Sequence, residues 1–579
     1  MKKFYLCLFL ILFFGGGLRG QDYFLKDKGP FLNDIPSPEE FLGYPIGAQH
    51  TRHDQIVAYL EKLSELSDRA QIIYYGQTYE YRKLVILQIS TPSHLENIET
   101  HQAKHLEVCD PQKNGSDFSD LPVFINLGYN VHGNESSGGE AALLSAYVLV
   151  ASNHPQIQKF REESIVFVDP TINPDGRDRH SSWANTYRGR PLVSDPLDAE
   201  HNEAWPRGRT NHYWFDLNRD WILGIHPESR GKLNWYHEWY PNVVTDFHEM
   251  GTNSTYFFEP MKDNASQDPI MPKENYTTLN DTFGKYYARA LDSLGSFYFT
   301  KEVFDGTYPG YGSSYPDLQG GLGILFEQAS SRGHLQETST TPITFAFTIR
   351  NQFATGLATV QAAVENKNLL YNYQKDFFQS AIRRAGKNPV KAYVFGDARD
   401  ANRNKAFIDK LLLHRVKVYR LNQSISRDGK TFESGEAFVV PTQQPQYRMV
   451  QTFFETYDQY RDSVFYDASA WSLANFYNMP YAELNNNPSG EEISSTENLV
   501  KISPPRRSEY AYVIPWEDYN AMPALYYFLK KNVTVTAAYK PFQAEVEGKA
   551  QEFSYGTLVI PVKSRQKVSP SDLFQLIQN

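Results

Sequence analysis

Leu121–Leu127 reads LPVFINL, Ser164–Ile172 SIVFVDPTI, Val243–His248 VVTDFH and Leu322–Glu327 LGILFE. Each run is short, apolar and rich in β-branched residues. Continuous rather than alternating apolar character suits strands buried on both faces, as in an α/β sheet. Between them, Gly139–Ala151 (GEAALLSAYVLVA) and Phe345–Glu365 read as helices. The region from Gln21 to residue 385 is therefore expected to form one large α/β domain, a mixed sheet sandwiched by helices. Asn173–Trp214, about 40 residues rich in Arg, His, Trp and Gly, reads as a long loop. Loops of that length with high aromatic content are usually functional.

Composition sets the outer bounds. The 579 residues carry 57 Lys+Arg against 67 Asp+Glu, a net charge of −10, which offers no basic face for nucleic acid. Aromatics make up 15% and Gly only 36 residues, which excludes collagen-like, coiled-coil and disordered classes. Lys2 and Lys3 precede an apolar run from Phe4 to Phe14, and small residues lead to Gly20. This pattern reads as a signal peptide over residues 1–20, giving an exported protein, periplasmic or secreted and bacterial in style. The run is short for a bilayer, and no later stretch approaches the roughly 20 apolar residues a span needs. No stable membrane insertion is expected after cleavage. Once the leader with Cys7 is removed, Cys109 is the one cysteine left. Neither an intramolecular disulfide nor a thiolate zinc site is then open to the chain, so any metal must be held by His and carboxylate.

The residues suited to chemistry lie in the first region. His132 and Glu135, in NVHGNE, follow the strand-like Leu121–Leu127 and precede a helix, at the carboxyl end of a strand where open α/β sheets bind ligands. His248 ends another strand-like run. Two His, one Glu and an open position for water form a ligand set suited to catalytic zinc. His334 and Glu337 repeat the HxxE spacing without a strand before them, and read as a solvated helix start.

NVHGNE, NPDG (Asn173–Gly176), FDLNRDW (Phe215–Trp221), DFHEMG (Asp246–Gly251) and LFEQ (Leu325–Gln328), in this order, resemble the zinc carboxypeptidases of the M14 type. The resemblance covers Pro38 to Ala385. It implies one zinc per chain on His132, Glu135 and His248. It further implies Glu327 as general base and Asn218 with Arg219 as the grip on the substrate's terminal carboxylate. Asp216 would orient a zinc histidine, Arg209 (with Arg207 as alternative) would stabilise the oxyanion, and Tyr308 would close over the substrate. Arg suits carboxylate recognition because its planar fork meets two oxygens at once. The implied partner is a peptide or protein with a free C-terminal carboxylate. Pocket preference is left open: Tyr315 would favour apolar or small side chains, and Asp317 facing inward would favour Lys or Arg. A cell-wall peptide amidase or peptidase on the same zinc site, and a peptide-binding protein without activity, are the alternative readings.

From residue 386 onward smaller α/β modules are expected, as a weak repeat. Ala392-Tyr393-Val394, a helical segment, Val416–Leu421, and Phe432-x-x-Gly435 before Val439-Val440-Pro441 form one copy, over about 388–490. Ala511-Tyr512-Val513, a helical segment, Val533–Ala537, and Phe553-x-x-Gly556 before Val559-Ile560-Pro561 form the other, over about 505–579.

Overall fold

The computed structural model describes residues 20–113, 117–262, 270–457, 472–500, 504–546 and 548–579. The expected signal-peptide core lies outside the described residues. The chain divides into two compact units, residues 1–109 with 113–375, and residues 110–112 with 376–579.

The first unit is built on a seven-stranded sheet. Its strands are β1 (Ala70–Gln77), β2 (Lys83–Ile89), β3 (Val123–Tyr129), β4 (Ser164–Asp169), β5 (Val243–Met250), β6 (Tyr256–Phe258) and β7 (Leu322–Ala329). Their spatial order is β1-β2-β4-β3-β5-β7-β6. The four runs singled out in the sequence are the four central strands, β4-β3-β5-β7, paired in parallel. The flanking β1, β2 and β6 run antiparallel to their neighbours. None of the three was singled out in the sequence: β1 is partly exposed and β6 is only three residues long, whereas β2 (KLVILQI) carries the same buried apolar run as the central strands.

Both faces of the sheet are covered. On β3, Tyr129 stacks on Phe247, and a Cβ at Gly356 of helix Phe345–Glu365 would meet the Tyr129 hydroxyl. Phe124, five residues away and so on the opposite face of the pleat, packs against Trp239 of helix Pro227–Trp239. Helix Phe345–Glu365 in turn packs on helices Ser137–Ala151 and Asp281–Leu294. Burial on both faces explains why the central strands lack polar alternation.

Two sequence expectations are corrected. The first 14 residues of the supposed loop are a helix, Pro174–Tyr187, started by Asn173, whose side chain accepts from Gly176 N at 3.0 Å, and by Pro at the first turn. Asn-Pro-Asp-Gly is as good a helix start as a turn, because its cap and its proline both suit the first turn. His334 does not begin a solvated helix. It is buried, its Nδ1 lies 2.7 Å from Glu200 Oε1, and Leu335–Gln336 forms a short strand paired with Ile343–Thr344. The long-range partner Glu200 decides that placement.

The second unit contains a five-stranded and a three-stranded sheet. In the first, Ala392–Phe395 pairs with Phe438–Pro441 so that Ala392 faces Pro441, and Tyr419–Leu421 lies beyond. In the second, Ala511–Ile514 pairs with Leu558–Pro561 so that Ala511 faces Pro561, and Thr536–Ala537 lies beyond. A helix follows the first strand of each, Ala401–Leu413 and Ala521–Lys530. Among the described residues no helix of the chain is long and apolar enough to cross a membrane.

Candidate metal and catalytic site

The site forms at the carboxyl ends of β3, β5 and β7. Asn130, just past β3, takes a left-handed backbone (φ +61°) that Asn tolerates better than most residues. Its Nδ2 donates to the carbonyls of His132 at 2.8 Å and Glu135 at 3.0 Å, holding the HxxE turn open toward the sheet. At Gly133 a Cβ would lie 2.1 Å from the Gly176 carbonyl carbon, so only glycine lets this turn rest on the start of helix Pro174–Tyr187. Buried Arg177 of that helix donates to Glu140 Oε1 at 2.8 Å and to the Thr51 carbonyl, locking the following helix in place.

His132, Glu135 and His248 converge, buried, with one ligand atom from each within 4.8 Å of the others. His132 Nδ1 lies 2.9 Å from Glu135 Oε1, and His248 Nδ1 lies 2.9 Å from Glu135 Oε2. The two Nδ1 atoms are 3.0 Å apart. Each far nitrogen meets a carboxylate: His132 Nε2 is 2.8 Å from Asp216 Oδ1, and His248 Nε2 is 2.9 Å from Asp246 Oδ1. Such pairing places the ring proton on Nε2 and turns both Nδ1 lone pairs inward. Two inward lone pairs and a carboxylate in a buried pocket are the donor set of a divalent cation, and zinc takes this His/His/Glu combination.

Asp246 was not anticipated. Its signal was present, because Asp246 and His248 are two apart on a strand and therefore share a face. Asn218 serves the same corner: its Nδ2 donates to Asp246 Oδ2 at 3.1 Å and lies 3.0 Å from His248 Nε2, while its Oδ1 accepts from Gly312 N at 2.7 Å. A Cβ on Gly312 would reach within 2.8 Å of the Asp246 carboxylate.

Charge organises the rest. Burial alone would raise the Glu135 carboxyl, but His132 and His248 beside it hold it well below its usual range. Burial opposes ionisation of Asp216 as well, yet His132, Arg209 and Arg219 depress it strongly. Arg209 donates to Glu135 Oε1 at 3.1 Å and to Asp216 Oδ2 at 2.9 Å, whereas Arg207 is not brought to either carboxylate. Glu327 behaves differently. Burial, with Glu135 adding to it, pushes its carboxyl up to about 8 against the pull of His248. Among the described residues no group hydrogen-bonds the Glu327 carboxylate.

Arg219 lies over the Tyr311 ring at 4.7 Å, and its Nη1 donates to the Asn218 carbonyl at 3.1 Å. Tyr308 is buried, with its hydroxyl donating to the Arg219 carbonyl at 2.7 Å. Tyr315 is fully buried with its hydroxyl 2.8 Å from His237 Nε2. Asp317 Oδ1 accepts from Asn275 Nδ2 and from Gly323 N, both at 2.8 Å, and burial pushes its carboxyl up to about 7.

The zinc carboxypeptidase family model matches residues 56–316, a span that ends before Glu327. Carboxypeptidase Z of Gallus gallus is 26% identical over 299 residues, covering 48% of this chain and 42% of that protein. Carboxypeptidase D of Drosophila melanogaster is 26% identical over 220 residues, 35% of this chain and 13% of that protein. The chain thus spans less than half the length of these curated relatives. A metallo-carboxypeptidase structure from Burkholderia cenocepacia aligns at 16% identity and a TM-score of 0.37, covering 54% of this chain and 69% of that one.

Proposed function

From the premise that residues 56–316 carry a domain of the zinc carboxypeptidase family, we propose that the protein is a metallocarboxypeptidase that removes C-terminal residues from peptides. The observation that carries this reading is the buried triad of His132, Glu135 and His248, both histidines backed by carboxylates, with an unengaged Glu327 beside it. A zinc ion held there supplies Lewis acidity for the scissile carbonyl and lowers the pKa of water toward about 7.

The chain's own groups account for the remaining steps. Glu327, in register with His248 on the neighbouring strand, takes the proton of the attacking water and passes it to the departing amine. Arg219 meets the substrate's terminal carboxylate with its planar guanidinium. Its backbone carbonyl accepts from Tyr308 and its guanidinium lies over the Tyr311 ring. Arg209, already directed at Glu135 and Asp216, supplies positive charge for the carbonyl oxygen as it becomes negative. Asp246 keeps His248 in the ligating tautomer, and Asn218 holds the Asp246 carboxylate by donating to its other oxygen. Export of the protein rests on the N-terminal signal pattern in the sequence.

A matched pair of peptides, one with a free C-terminal carboxylate and one amidated, tests the reading. Stepwise loss of residues from the free acid, at a rate at least about a hundredfold above the amide, is expected from loss of a buried charge pairing. Equal cleavage of the two would exclude an exopeptidase, and cleavage confined to peptidoglycan peptides would move the activity to the cell wall.

A further inference from the structure

Three backbone layers meet beside the HxxE turn, and a glycine lies at each contact. Gly133 of the turn rests on Gly176, in the first turn of helix Pro174–Tyr187. Gly208, the residue before Arg209, closes on the same helix. A Cβ there would lie 2.7 Å from the Gly176 carbonyl oxygen, 2.7 Å from His180 Cβ and 3.1 Å from Asn134 Cβ. Approach this close leaves no room for a side chain between the turn, the helix and the loop that carries Arg209. Dispersion across such contacts resists separation of the layers, but it is not directional and does not fix their register.

Glu203 supplies the directional bonds. Its Oε1 accepts from Gly208 N at 3.0 Å, its Oε2 accepts from Asn134 Nδ2 at 2.8 Å, and His180 Nδ1 lies 3.0 Å from Oε1. One carboxylate thus reaches the loop, the turn and the helix. Burial opposes its ionisation, yet His180, Asn134 and the Gly208 N–H hold the carboxyl down to about 2. It is therefore charged at neutral pH, and charged acceptors make the stronger hydrogen bonds. Its hydrogen-bond partners flank groups of the site, because Asn134 precedes Glu135 and Gly208 precedes Arg209. Arg209 Nη1 spans the same two layers, donating to Glu135 Oε1 at 3.1 Å. The Arg209 carbonyl is held from the helix side, accepting from Asn173 Nδ2 at 3.0 Å.

We propose that Glu203 is a positioning residue: it sets the Arg209 loop against the HxxE turn, so that the guanidinium is aimed before substrate arrives. What Arg209 then does rests on the carboxypeptidase reading, whereas the clamp is read from hydrogen bonds and close packing. The Arg209 side chain is 42% exposed, so packing alone does not confine it. Without the clamp, the ordering of Arg209 against the developing oxyanion would fall within the chemical step and lower kcat. Glu203 touches none of the ligand candidates, so the metal should stay bound.

The test is a double-mutant cycle in the full chain on one free-acid peptide, with zinc per chain measured for each variant. E203A should lower kcat by about tenfold or more, with zinc and KM little changed. Added to R209A, it should lower kcat by less than about twofold further, because the group through which Glu203 acts is already gone. E203Q, which keeps the shape if the alanine variant does not fold, should show a smaller loss with the same dependence on Arg209. An equal loss in both backgrounds is the mark of a merely structural residue and would overturn the proposal, as would a normal kcat for both Glu203 variants. Hydrogen exchange is followed on the same proteins without substrate. The segment 204–210 should exchange at least about tenfold faster in the Glu203 variants, while strand β7 stays protected. Unchanged exchange there would also overturn the clamp. Failure of the wild-type protein to cleave the peptide would overturn the carboxypeptidase reading alone, because exchange is read without turnover.

Discussion

His248 and Glu327 stand side by side in register on the parallel strands β5 and β7. Neighbouring residues in register point to the same face of a sheet. One strand pair therefore delivers a metal-ligand candidate and a raised carboxyl to the same mouth, 79 residues apart in sequence. The remaining ligand candidates arrive on the turn after β3, the strand on the other side of β5.

Replacing Glu327 with Gln keeps the shape and removes the proton carrier. Zinc per chain should stay unchanged while kcat falls by about 10²–10⁴. Metal analysis and turnover on one peptide check this together, and a near-normal kcat would remove Glu327 from the proposed role.

Asp246 is predicted to matter to the metal although it touches none. D246A releases His248 Nε2 and one end of Asn218. Zinc affinity, measured by chelator competition, should fall about 10- to 100-fold. An unchanged affinity would show that Asp246 does not orient the ring.

Arg219 should act on binding rather than on proton transfer. R219A is expected to lower kcat/KM for free-acid peptides by about 30-fold or more, equivalent to roughly 2 kcal/mol or more. KM should carry most of the change. A loss confined to kcat would indicate that Arg219 acts on the reacting bond.

Asp317 makes stability depend on pH. Its folded pKa, about 7, lies above the ordinary 3.8. The folded form therefore keeps its proton while the unfolded chain loses it, and stability falls as pH rises from about 4 to about 7. D317N retains the oxygen that Asn275 and Gly323 donate to and removes the ionisation. Its Tm, relative to wild type, should rise between pH 5 and pH 8, by an amount on the order of a few kcal/mol in stability. A constant difference across that range would contradict the buried-acid account.

Legibility in the sequence followed from how local each signal was. The four central strands were readable because burial on both faces leaves an unbroken apolar run, as in Val123–Tyr129. His132, Glu135 and His248 were named from ordered motifs, and the fold brings the three together. Asp246 and Asn130 escaped notice because one was read only as part of a strand and motif and the other only as the first residue of NVHGNE. His334 was misread because Glu200, distant in sequence, determines its burial. The helix Pro174–Tyr187 was hidden by polar residues whose apolar face is small, and capping by Asn173 decides it.

The most direct test of the account joins metal content to direction of cleavage. The purified protein is assayed for zinc, and an unblocked peptide is followed by mass spectrometry before chelation, after it, and after zinc is restored. The account predicts one zinc per chain, a ladder of products shortened only from the carboxyl end, loss of the ladder on chelation and its return with zinc. Trimming that persists in fully metal-free protein, or products cut internally, would contradict it.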